Sequence, residues 1–463
     1  MNATILKNPL GILTGLRGAA ERAQGDIRIV DGRIAAIGVI DAQDGDIVLD
    51  ASNCVVTPGL ISAHHHLFQS MLKGVPSAID APLEPWLRQV PYSYWNRLDE
   101  EALAVAVTVG MVELLLSGCT TVADHHYLFP DAWGFDPAAL LFETADKLGM
   151  RLALLRGGTT RSRSFDTPEI VPTPDEGLDV MLARVQDLVH RYHDPAPDAR
   201  RRIVLAPNTP TWGLAAGELR VAAAAARSMG VKLHSHLSET GTYVDYTIAT
   251  YGKRPVHWLA EHDWLGDDVW FAHMVHLDDS ELRLLAETST GMAHCPQSNC
   301  RLGSGIAPAD VLDRLGGRVA LAADGAASNE ACDMVSEMHA AWMTHRSTKG
   351  AAAVRCEDVL RWATAGGADI LGLPGIGTLA VGQAADIAVF DLAHPRYAGL
   401  HDPLIGPVAS GGGAHLRHVL VAGKSVVVDG AIPGLDLAQL TARARVVVRR
   451  LITYGDGRLP RAA

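Results

Sequence analysis

The sequence has few cysteines, and they lack the spacing that makes cysteine structural. Six cysteines are spread over 463 residues, with no Cys-x-x-Cys pair and no dense cluster. Neither a disulfide scaffold nor a thiolate zinc knuckle is indicated, and a reduced, cytoplasmic setting is expected. Membrane and targeting patterns are missing too. No apolar run reaches bilayer-spanning length, and residues 1–7 lead into strand-like sequence without a basic and then apolar leader.

An excess of basic charge is also absent. The 40 lysines and arginines are outnumbered by 52 aspartates and glutamates, which gives a formal net charge of -12. This balance argues against a nucleic-acid-binding surface and against a surface for anionic membranes. A homo-oligomer stays open, because nothing in the composition decides the oligomeric state.

Both ends of the chain have the pattern of short β-strands. Near the N-terminus, apolar alternation surrounds an Asp-Gly turn in residues 26–38, which is hairpin sequence. The same pattern of short apolar strands broken by turn residues returns between residues 385 and 430. We therefore predict one small β-sandwich domain made from residues 1–58 and 371–430, with the central chain inserted into it. Residues 431–463 are predicted to be a helical tail, because apolar residues recur there at helical spacing.

The central chain, residues 59–370, alternates short apolar strands with helix-length segments, which is the pattern of parallel βαβ units. The candidate strands lie at 58–67, 120–124, 151–156, 203–207, 231–236, 269–273, 291–295 and 319–324. Eight is the number of strands that closes a TIM-like (β/α)8 barrel. A doubly wound open sheet is the alternative, but its glycine-rich dinucleotide fingerprint is missing after the first strand. The predicted fold class is α/β, a barrel with a small β-sandwich.

Ionisable side chains recur at the carboxyl ends of these strands, where barrel enzymes place their sites. The first strand ends in His64 and His66, which share a face because alternate residues of a strand point the same way. His236, His273 and Asp324 end three later strands. Each residue alone could be a core histidine or a turn aspartate. Their joint placement favours a catalytic zinc site, for which three imidazoles and one carboxylate leave a position open to water.

Several stretches of the sequence match the motifs of one family. They are the strand that ends in His64-His65-His66, and the segments 234–239, 271–273, 294–299 and 323–329. Through these motifs the chain resembles the amidohydrolase superfamily, in the branch that holds cytosine, guanine and related heterocycle deaminases. The resemblance covers essentially the whole chain and implies the same barrel and the same split β domain.

The resemblance also implies a metal site with a defined set of ligands. The implied ligands are His64, His66, His236 and Asp324. They would bind one divalent metal ion, expected to be Zn²⁺, and His273 would hydrogen-bond the water or hydroxide at the metal. Members with two metals bridge them through a carboxylated lysine on the fourth strand. Residues 203–208 contain no lysine, so one metal is expected.

The chemistry of deamination explains why these residue types are needed. Hydrolysing an amino group off an aromatic ring needs a strong nucleophile, and a bound metal supplies one by lowering the pKa of its water to about 7. The ring nitrogen beside the attacked carbon needs a proton. Glu239, three residues beyond His236, is placed to deliver that proton, and Asp324 to take one from the attacking water. The predicted catalytic residues are Glu239, His273 and Asp324.

Substrate contacts are predicted from positions next to the strand ends. Gln69 follows the first strand, where its carboxamide would hydrogen-bond to an amide group of the substrate ring. Arg156 ends the third strand and would pair with a carbonyl or enolate oxygen, and Asn208 follows the fourth. His273 is expected to contact the substrate as well. Loop scaffolding is an alternative explanation for Gln69, Arg156 and Asn208. Residues 81–87 are expected to form a lid over the site.

The resemblance implies a metal-dependent hydrolytic deaminase of an oxidised bicyclic amino-heterocycle, which releases ammonia. Isoxanthopterin is the first substrate expected, and 8-oxoguanine is the nearest rival. Hydrolysis of an amino-substituted s-triazine is a third hypothesis with the same metal chemistry. A hypothesis of a different class is a catalytically silent barrel that serves as an assembly module. The intact ligand set together with Glu239 argues against a silent barrel.

Overall fold

The computed structural model describes residues 3–161 and 173–453. The chain begins with seven short strands, which are β1 (Thr4–Lys7), β2 (Gly11–Leu13), β3 (Arg22–Ala23), β4 (Asp26–Val30), β5 (Arg33–Gly38), β6 (Ile47–Asp50) and β7 (Cys54–Pro58). Four of them form one sheet in the order β5-β4-β1-β6, and β7, β2 and β3 lie at one side of a second sheet. The predicted hairpin is present, because β4 and β5 pair antiparallel around the Asp-Gly turn.

Eight parallel strands follow and form the barrel. They are β8 (Leu60–His65), β9 (Cys119–His126), β10 (Arg151–Arg156), β11 (Arg201–Leu205), β12 (Leu233–Leu237), β13 (Val269–His273), β14 (Gly291–His294) and β15 (Arg318–Leu321). They neighbour one another in chain order. The residues after β15 close the ring, because the amide of Asp324 donates to the carbonyl of His64 at 3.1 Å and the amide of Ala323 donates to the hydroxyl of Ser62 at 3.1 Å. The predicted barrel is confirmed.

Helices connect the barrel strands and follow them. They are α1 (Leu83–Gln89), α2 (Pro91–Tyr94), α3 (Glu100–Leu116), α4 (Pro137–Leu148), α5 (Leu178–Tyr192), α6 (Ala216–Ser228), α7 (Gly241–Tyr251), α8 (Pro255–Ala260), α9 (Asp279–Glu287), α10 (Pro296–Arg301), α11 (Ala309–Arg314), α12 (Met334–Lys349), α13 (Cys356–Arg361) and α14 (Gly367–Leu371). Local signals set their ends: α4 begins after Asp136, whose carboxylate accepts from two amides, and stops at Gly149, which has a φ of 75°. No helix within 3–161 and 173–453 is long and apolar enough to cross a membrane.

Each barrel strand buries both of its faces, in two different apolar cores. On β10, Leu152 and Leu154 pack in the outer core with the helices. Ala153 and Leu155 lie in the inner core, inside the barrel. This alternation follows from the two-residue period of a strand. It decides whether a residue at the end of a strand faces the interior or the helices.

The last strands complete the sheet that began at the N-terminus. They are β16 (Ile387–Asp391), β17 (Leu416–Val421) and β18 (Lys424–Val428), with α15 (Gly406–Ala409) between the first two and α16 (Leu437–Thr453) after them. The sheet runs β18-β17-β16-β7-β2-β3, and β16 pairs antiparallel with β7, with Ile387 opposite Pro58. Apolar side chains from both sheets share one buried core. The β-sandwich is therefore built from both ends of the chain.

The remaining helical turns are short. They are 3-10 turns at Gly18–Ala20, Leu67–Met71, Pro76–Ala78, Trp95–Arg97, Pro395–Tyr397 and Pro403–Ile405, and a π-helical turn at Trp362–Gly366 between α13 and α14. Helix α16 buries Val447 and Leu451, and its Arg450 pairs with Asp99 and Glu101 at the start of α3. These contacts dock the C-terminal helix on the barrel.

A buried ion pair joins the barrel to the β-sandwich. The Arg151 guanidinium, at the start of β10, donates from Nε and Nη2 to the two carboxylate oxygens of Asp386 at 2.6 and 2.9 Å. Both side chains are at most 2% exposed. A two-pronged contact of this kind is directional and strong. It fixes the strand β16, which begins one residue later, relative to the barrel.

We expect Arg151→Met to destabilise the protein by roughly 3–5 kcal/mol, because it leaves the Asp386 carboxylate buried without its partner. Urea unfolding followed by circular dichroism measures the loss. Arg33→Met is the matched control, because the Arg33 side chain in the Arg33–Asp198 pair is 48% exposed. Exposed pairs of this kind contribute about 1 kcal/mol or less to stability. Equal losses in the two variants would contradict the role given to burial.

Candidate active site

Three imidazoles and one carboxylate meet at the carboxyl end of the barrel. Nε2 of His66 lies 3.3 Å from Nε2 of His236, and Oδ1 of Asp324 lies 3.5 Å from Nε2 of both His64 and His66. Ligands about 2.1 Å from a tetrahedral ion are about 3.4 Å from one another. These three distances match the spacing between neighbouring ligands of a tetrahedral metal site.

Backbone carbonyls fix which ring nitrogen of two of these histidines is free. Nδ1 of His66 lies 2.7 Å from the carbonyl oxygen of His125, and Nδ1 of His236 lies 2.7 Å from that of Asn208. A carbonyl oxygen can only accept, so both Nδ1 atoms carry the proton and both Nε2 atoms keep a lone pair. Contacts of this kind orient the histidines of metal sites.

A fourth histidine, His234, orients His64. Nδ1 of His234 donates to the carbonyl of Trp270 at 3.1 Å, so Nε2 of His234 accepts the proton of His64 Nδ1 at 2.9 Å. Nε2 of His64 therefore also keeps its lone pair. This nitrogen is buried and has no hydrogen-bond partner within residues 3–161 and 173–453, which fits a metal ligand and not a solvated side chain.

The charge state of the donors suits metal binding. Burial lowers the pKa of all three imidazoles, to about 3 for His236, so they are neutral as metal ligands must be. Burial opposes the charge of Asp324, but its carboxylate accepts from the amide of Gly325 at 2.6 Å and from the hydroxyl of Ser298 at 2.6 Å, which stabilises the charged form. The site thus offers three lone pairs and one negative charge to a cation.

Two further titratable groups border the donors. Nε2 of His273 lies 3.7 Å from Oε2 of Glu239 and 3.9 Å from Oδ2 of Asp324. Burial raises the pKa of Glu239 to about 7, close to the value that best serves proton transfer at neutral pH. The structure therefore brings together the three residues that the sequence predicted to be catalytic.

Left-handed backbone conformations place some of these side chains. Trp270 and Ala272 lie in the inner core, so simple alternation would turn His273 towards the helices. His273 has a φ of 71°, and Asp324 has a φ of 59°. Such conformations cost about 1–3 kcal/mol in residues other than glycine and cluster at functional sites. The irregular backbone turns His273 into the site, whereas Asp324 already shares the inward parity of Ala320 and Ala322.

A cavity opens above the donor atoms. His66, His236, Glu239, His273 and Asp324 line its base. Its walls include Leu83, Trp86 and Leu87 from α1 and the aromatic rings of Tyr127, Trp212 and Tyr243. Apolar and aromatic walls around a few convergent polar groups are typical of small-molecule sites. The segment expected to be a lid thus contains the start of the short helix α1. Trp86 fixes this helix against the barrel, because its Nε1 donates to the carbonyl of Ala327 at 3.1 Å.

The predicted substrate residues fall in different places. Gln69, Asn208 and His273 line the cavity. Arg156 lies outside it, because its buried guanidinium pairs with Glu176 and stacks on Phe129 at 4.4 Å. The physical reason is alternation, since Arg156 has the parity of the outward-facing Leu154. Arg156 therefore does not line the cavity in which the substrate contact was predicted.

Other residues on the cavity wall carry no motif in the sequence. Tyr127 follows β9, and the strand-end rule alone would have found it. Thr159 and Arg161 lie beyond β10, and Trp212 and Tyr243 come from a loop and a helix farther along the chain. No periodic pattern marks these four residues, because their position depends on how the loops fold over the barrel.

The barrel and its donor set define an amidohydrolase. Residues 55–430 match the profile of the Amidohydrolase family, and the chain belongs to this family. It is 47% identical over 469 residues to an isoxanthopterin deaminase from an unknown prokaryotic organism, with 97% of each chain covered. It is 40% identical over 458 residues to an 8-oxoguanine deaminase from Pseudomonas aeruginosa, covering 98% of this chain and 100% of the relative.

A solved structure with zinc extends the comparison to the metal. The atrazine chlorohydrolase from Arthrobacter aurescens TC1 complexed with zinc superimposes with a TM-score of 0.87 at 26% identity, covering 96% of this chain and 100% of that one. A related family member with this fold therefore holds zinc. The buried His64, His66 and Asp324 of the present chain form a group that can hold a metal ion.

Proposed function

We propose that this protein is a metal-dependent hydrolase that removes an amino group, as ammonia, from an oxidised bicyclic heterocycle, with isoxanthopterin as its preferred substrate. One observation carries the proposal. Glu239, His273 and Asp324 lie together beside three imidazole lone pairs, at the base of a cavity with aromatic walls. The extent of the similarity to the isoxanthopterin deaminase supports the choice of substrate.

The metal in this proposal is a single zinc ion, held by His64, His66, His236 and Asp324. The spacing of the donors supports it, and so does the zinc in the related structure. Strand β11 offers no lysine to bridge a second ion. When bound, zinc supplies a water of lowered pKa, about 7, and stabilises negative charge on the substrate.

The residues of the chain then move the protons. Oδ2 of Asp324 accepts a proton from the attacking water, and Nε2 of His273 accepts a hydrogen bond that holds this water in place. The protonated carboxyl of Glu239 donates to the ring nitrogen beside the attacked carbon, which takes up the electron pair of the C=N bond. The proton held by Asp324 then passes to the amino group, the C–N bond breaks, and ammonia leaves as the ring carbonyl forms and its hydroxyl proton returns to Glu239.

Substrate recognition in this proposal rests on Gln69 and Asn208 for the amino-pyrimidinone ring. Arg161 replaces Arg156 as the cation proposed for an oxo group, because Arg161 lines the cavity and Arg156 does not. We also propose a reducing, cytoplasmic setting, since all six cysteines are free and five of them are buried. A small heterocycle and water are the proposed partners.

A metal analysis tests the site. We expect about one equivalent of zinc per chain by plasma mass spectrometry, because four ligands and no bridging lysine describe one tetrahedral ion. Chelation should remove the activity, and added zinc should restore it. Two tightly bound equivalents, or full activity in the metal-free protein, would overturn the assignment.

A substrate panel tests the reaction. We expect ammonia release from isoxanthopterin with the highest kcat/KM among isoxanthopterin, 8-oxoguanine and an amino-s-triazine. The second candidate is 8-oxoguanine, which the full-length similarity to the Pseudomonas aeruginosa enzyme favours. A higher kcat/KM for 8-oxoguanine would select that candidate. Failure of every pterin, purine and triazine to release ammonia would reject the deaminase.

A further inference from the structure

The segment His294–Asn299 matches a family motif, yet none of its residues is a ligand or a catalytic group in the proposal above. It runs from the end of β14 into α10. Ser298 and Asn299 are both fully buried. We propose that these two consecutive residues are positioning residues, which hold Asp324 and His273 in the states that the proposed hydrolysis requires. This inference rests on the proposed function.

Ser298 divides the two oxygens of Asp324 between two tasks. Its hydroxyl donates to Oδ2 of Asp324 at 2.6 Å, and the hydroxyl of Ser328 makes a longer contact with the same oxygen at 3.1 Å. The other oxygen, Oδ1, faces His64 and His66 and accepts from the amide of Gly325 at 2.6 Å. With Oδ2 turned towards the hydroxyls, the carboxylate presents Oδ1 to the metal position. Oδ2 keeps a lone pair for the proton of the attacking water.

Asn299 sets the direction of the His273 ring. Its Oδ1 accepts from Nδ1 of His273 at 2.9 Å. Nε2 is the ring nitrogen that lies near Glu239 and Asp324. With the proton on Nδ1, Nε2 of His273 offers a lone pair to the cavity and can accept a hydrogen bond from water. Loss of the Asn299 oxygen would free the ring to adopt the other tautomer.

The helix that carries both residues, α10, is held in place by hydrogen bonds to Glu337 on α12. This carboxyl group is fully buried and accepts from the amide of Gln297 at 3.2 Å and from its Nε2 at 2.9 Å. It also accepts from Nδ2 of Asn329 at 3.3 Å. Asn329 lies in the motif that contains Asp324. One buried carboxyl group thus ties α10 to the segment that follows β15, so Ser298 and Asp324 keep their relative position.

Two substitutions at Asn299 separate positioning from packing. Asn299→Leu keeps the approximate volume but removes the acceptor, and Asn299→Asp keeps an acceptor but adds a charge. If Asn299 positions His273, kcat should fall by roughly 10- to 100-fold in the leucine variant, with KM and metal content near wild type. The aspartate variant should retain more of kcat. A purely structural role predicts the opposite order, since a buried charge disturbs packing more than leucine does.

Ser298→Ala tests the second contact. We expect a kcat loss of similar size, and a changed visible spectrum in the cobalt-substituted protein, because Oδ2, left with only the longer contact to Ser328, can also approach the metal. Cys300→Ser on the same helix is the control, since Cys300 is exposed, and it should match wild type in both readouts. An unchanged cobalt spectrum together with wild-type kcat in Ser298→Ala would overturn the role of Ser298.

Histidine NMR makes the inference independent of any substrate. With ¹⁵N-labelled histidine, wild type should show His273 with its proton on Nδ1, assigned by comparison with His273→Gln, and Asn299→Leu should lose this signature. The same tautomer in both proteins would reject the role of Asn299. If wild type releases ammonia from none of the heterocycles, the proposed function fails, whereas wild-type turnover with the reversed order of the Asn299 variants rejects only this inference.

Discussion

His236→Ala is expected to lose both its metal and its turnover. The substitution removes one of three imidazole lone pairs, and the two that remain cannot complete a tetrahedral site with Asp324. It also leaves the carbonyl of Asn208 without the donor at Nδ1. Even a residue that only supports a ligand contributes about 10- to 100-fold to metal affinity, so we expect less than about a tenth of an equivalent of zinc. Ammonia release should fall below detection.

Metal analysis and the ammonia assay on the same preparation check this result. His190→Ala is the control, because His190 is an exposed histidine on α5 whose ring nitrogen Nε2 lies 3.1 Å from the side-chain nitrogen of Gln186. It should keep its zinc and its activity. A His236→Ala protein that holds a full equivalent of zinc with wild-type affinity would remove His236 from the ligand set.

Glu239→Gln is expected to separate proton transfer from metal binding. Glutamine keeps the shape of the side chain but cannot deliver a proton, so kcat should fall by roughly 100-fold or more. Glu239 lies beside His273 and is assigned to no metal contact, so the zinc content should stay near one equivalent. Steady-state kinetics and metal analysis measure the two effects. Loss of zinc together with activity would make Glu239 a ligand or a structural support.

The barrel and the cluster of candidate metal ligands could be predicted because they follow short, regular rules. Apolar strands of four to eight residues at regular intervals indicate parallel βαβ units, and polar residues at their carboxyl ends indicate a site. His64, His66 and His236 also lie in family motifs. These signals depend on local sequence, so they can be read without knowing how the loops pack.

The other contacts depend on side-chain direction, which local sequence does not fix. Arg156 sits at a strand end as expected, but its parity sends it to the outer face. His273 is the opposite case, since parity would turn it outwards and a left-handed backbone returns it to the cavity. The contact between Asn299 and His273 joins helix α10 to the end of β13. Such contacts can be identified only from a three-dimensional structure, because it shows where the strand ends lie relative to one another.

The pairing of β7 with β16 has a consequence for how the protein is made on the ribosome. Strand β7 ends at Pro58, two residues before the strand that carries His64, and its antiparallel partner is not synthesised until Ile387. Long-range pairings of this kind form slowly and leave apolar edges exposed while the chain grows. The nascent barrel therefore carries an unpaired edge beside the strand that ends in His64 and His65 until the C-terminal strands emerge. We therefore expect a chain released before Ile387 to expose β7 as a site for aggregation.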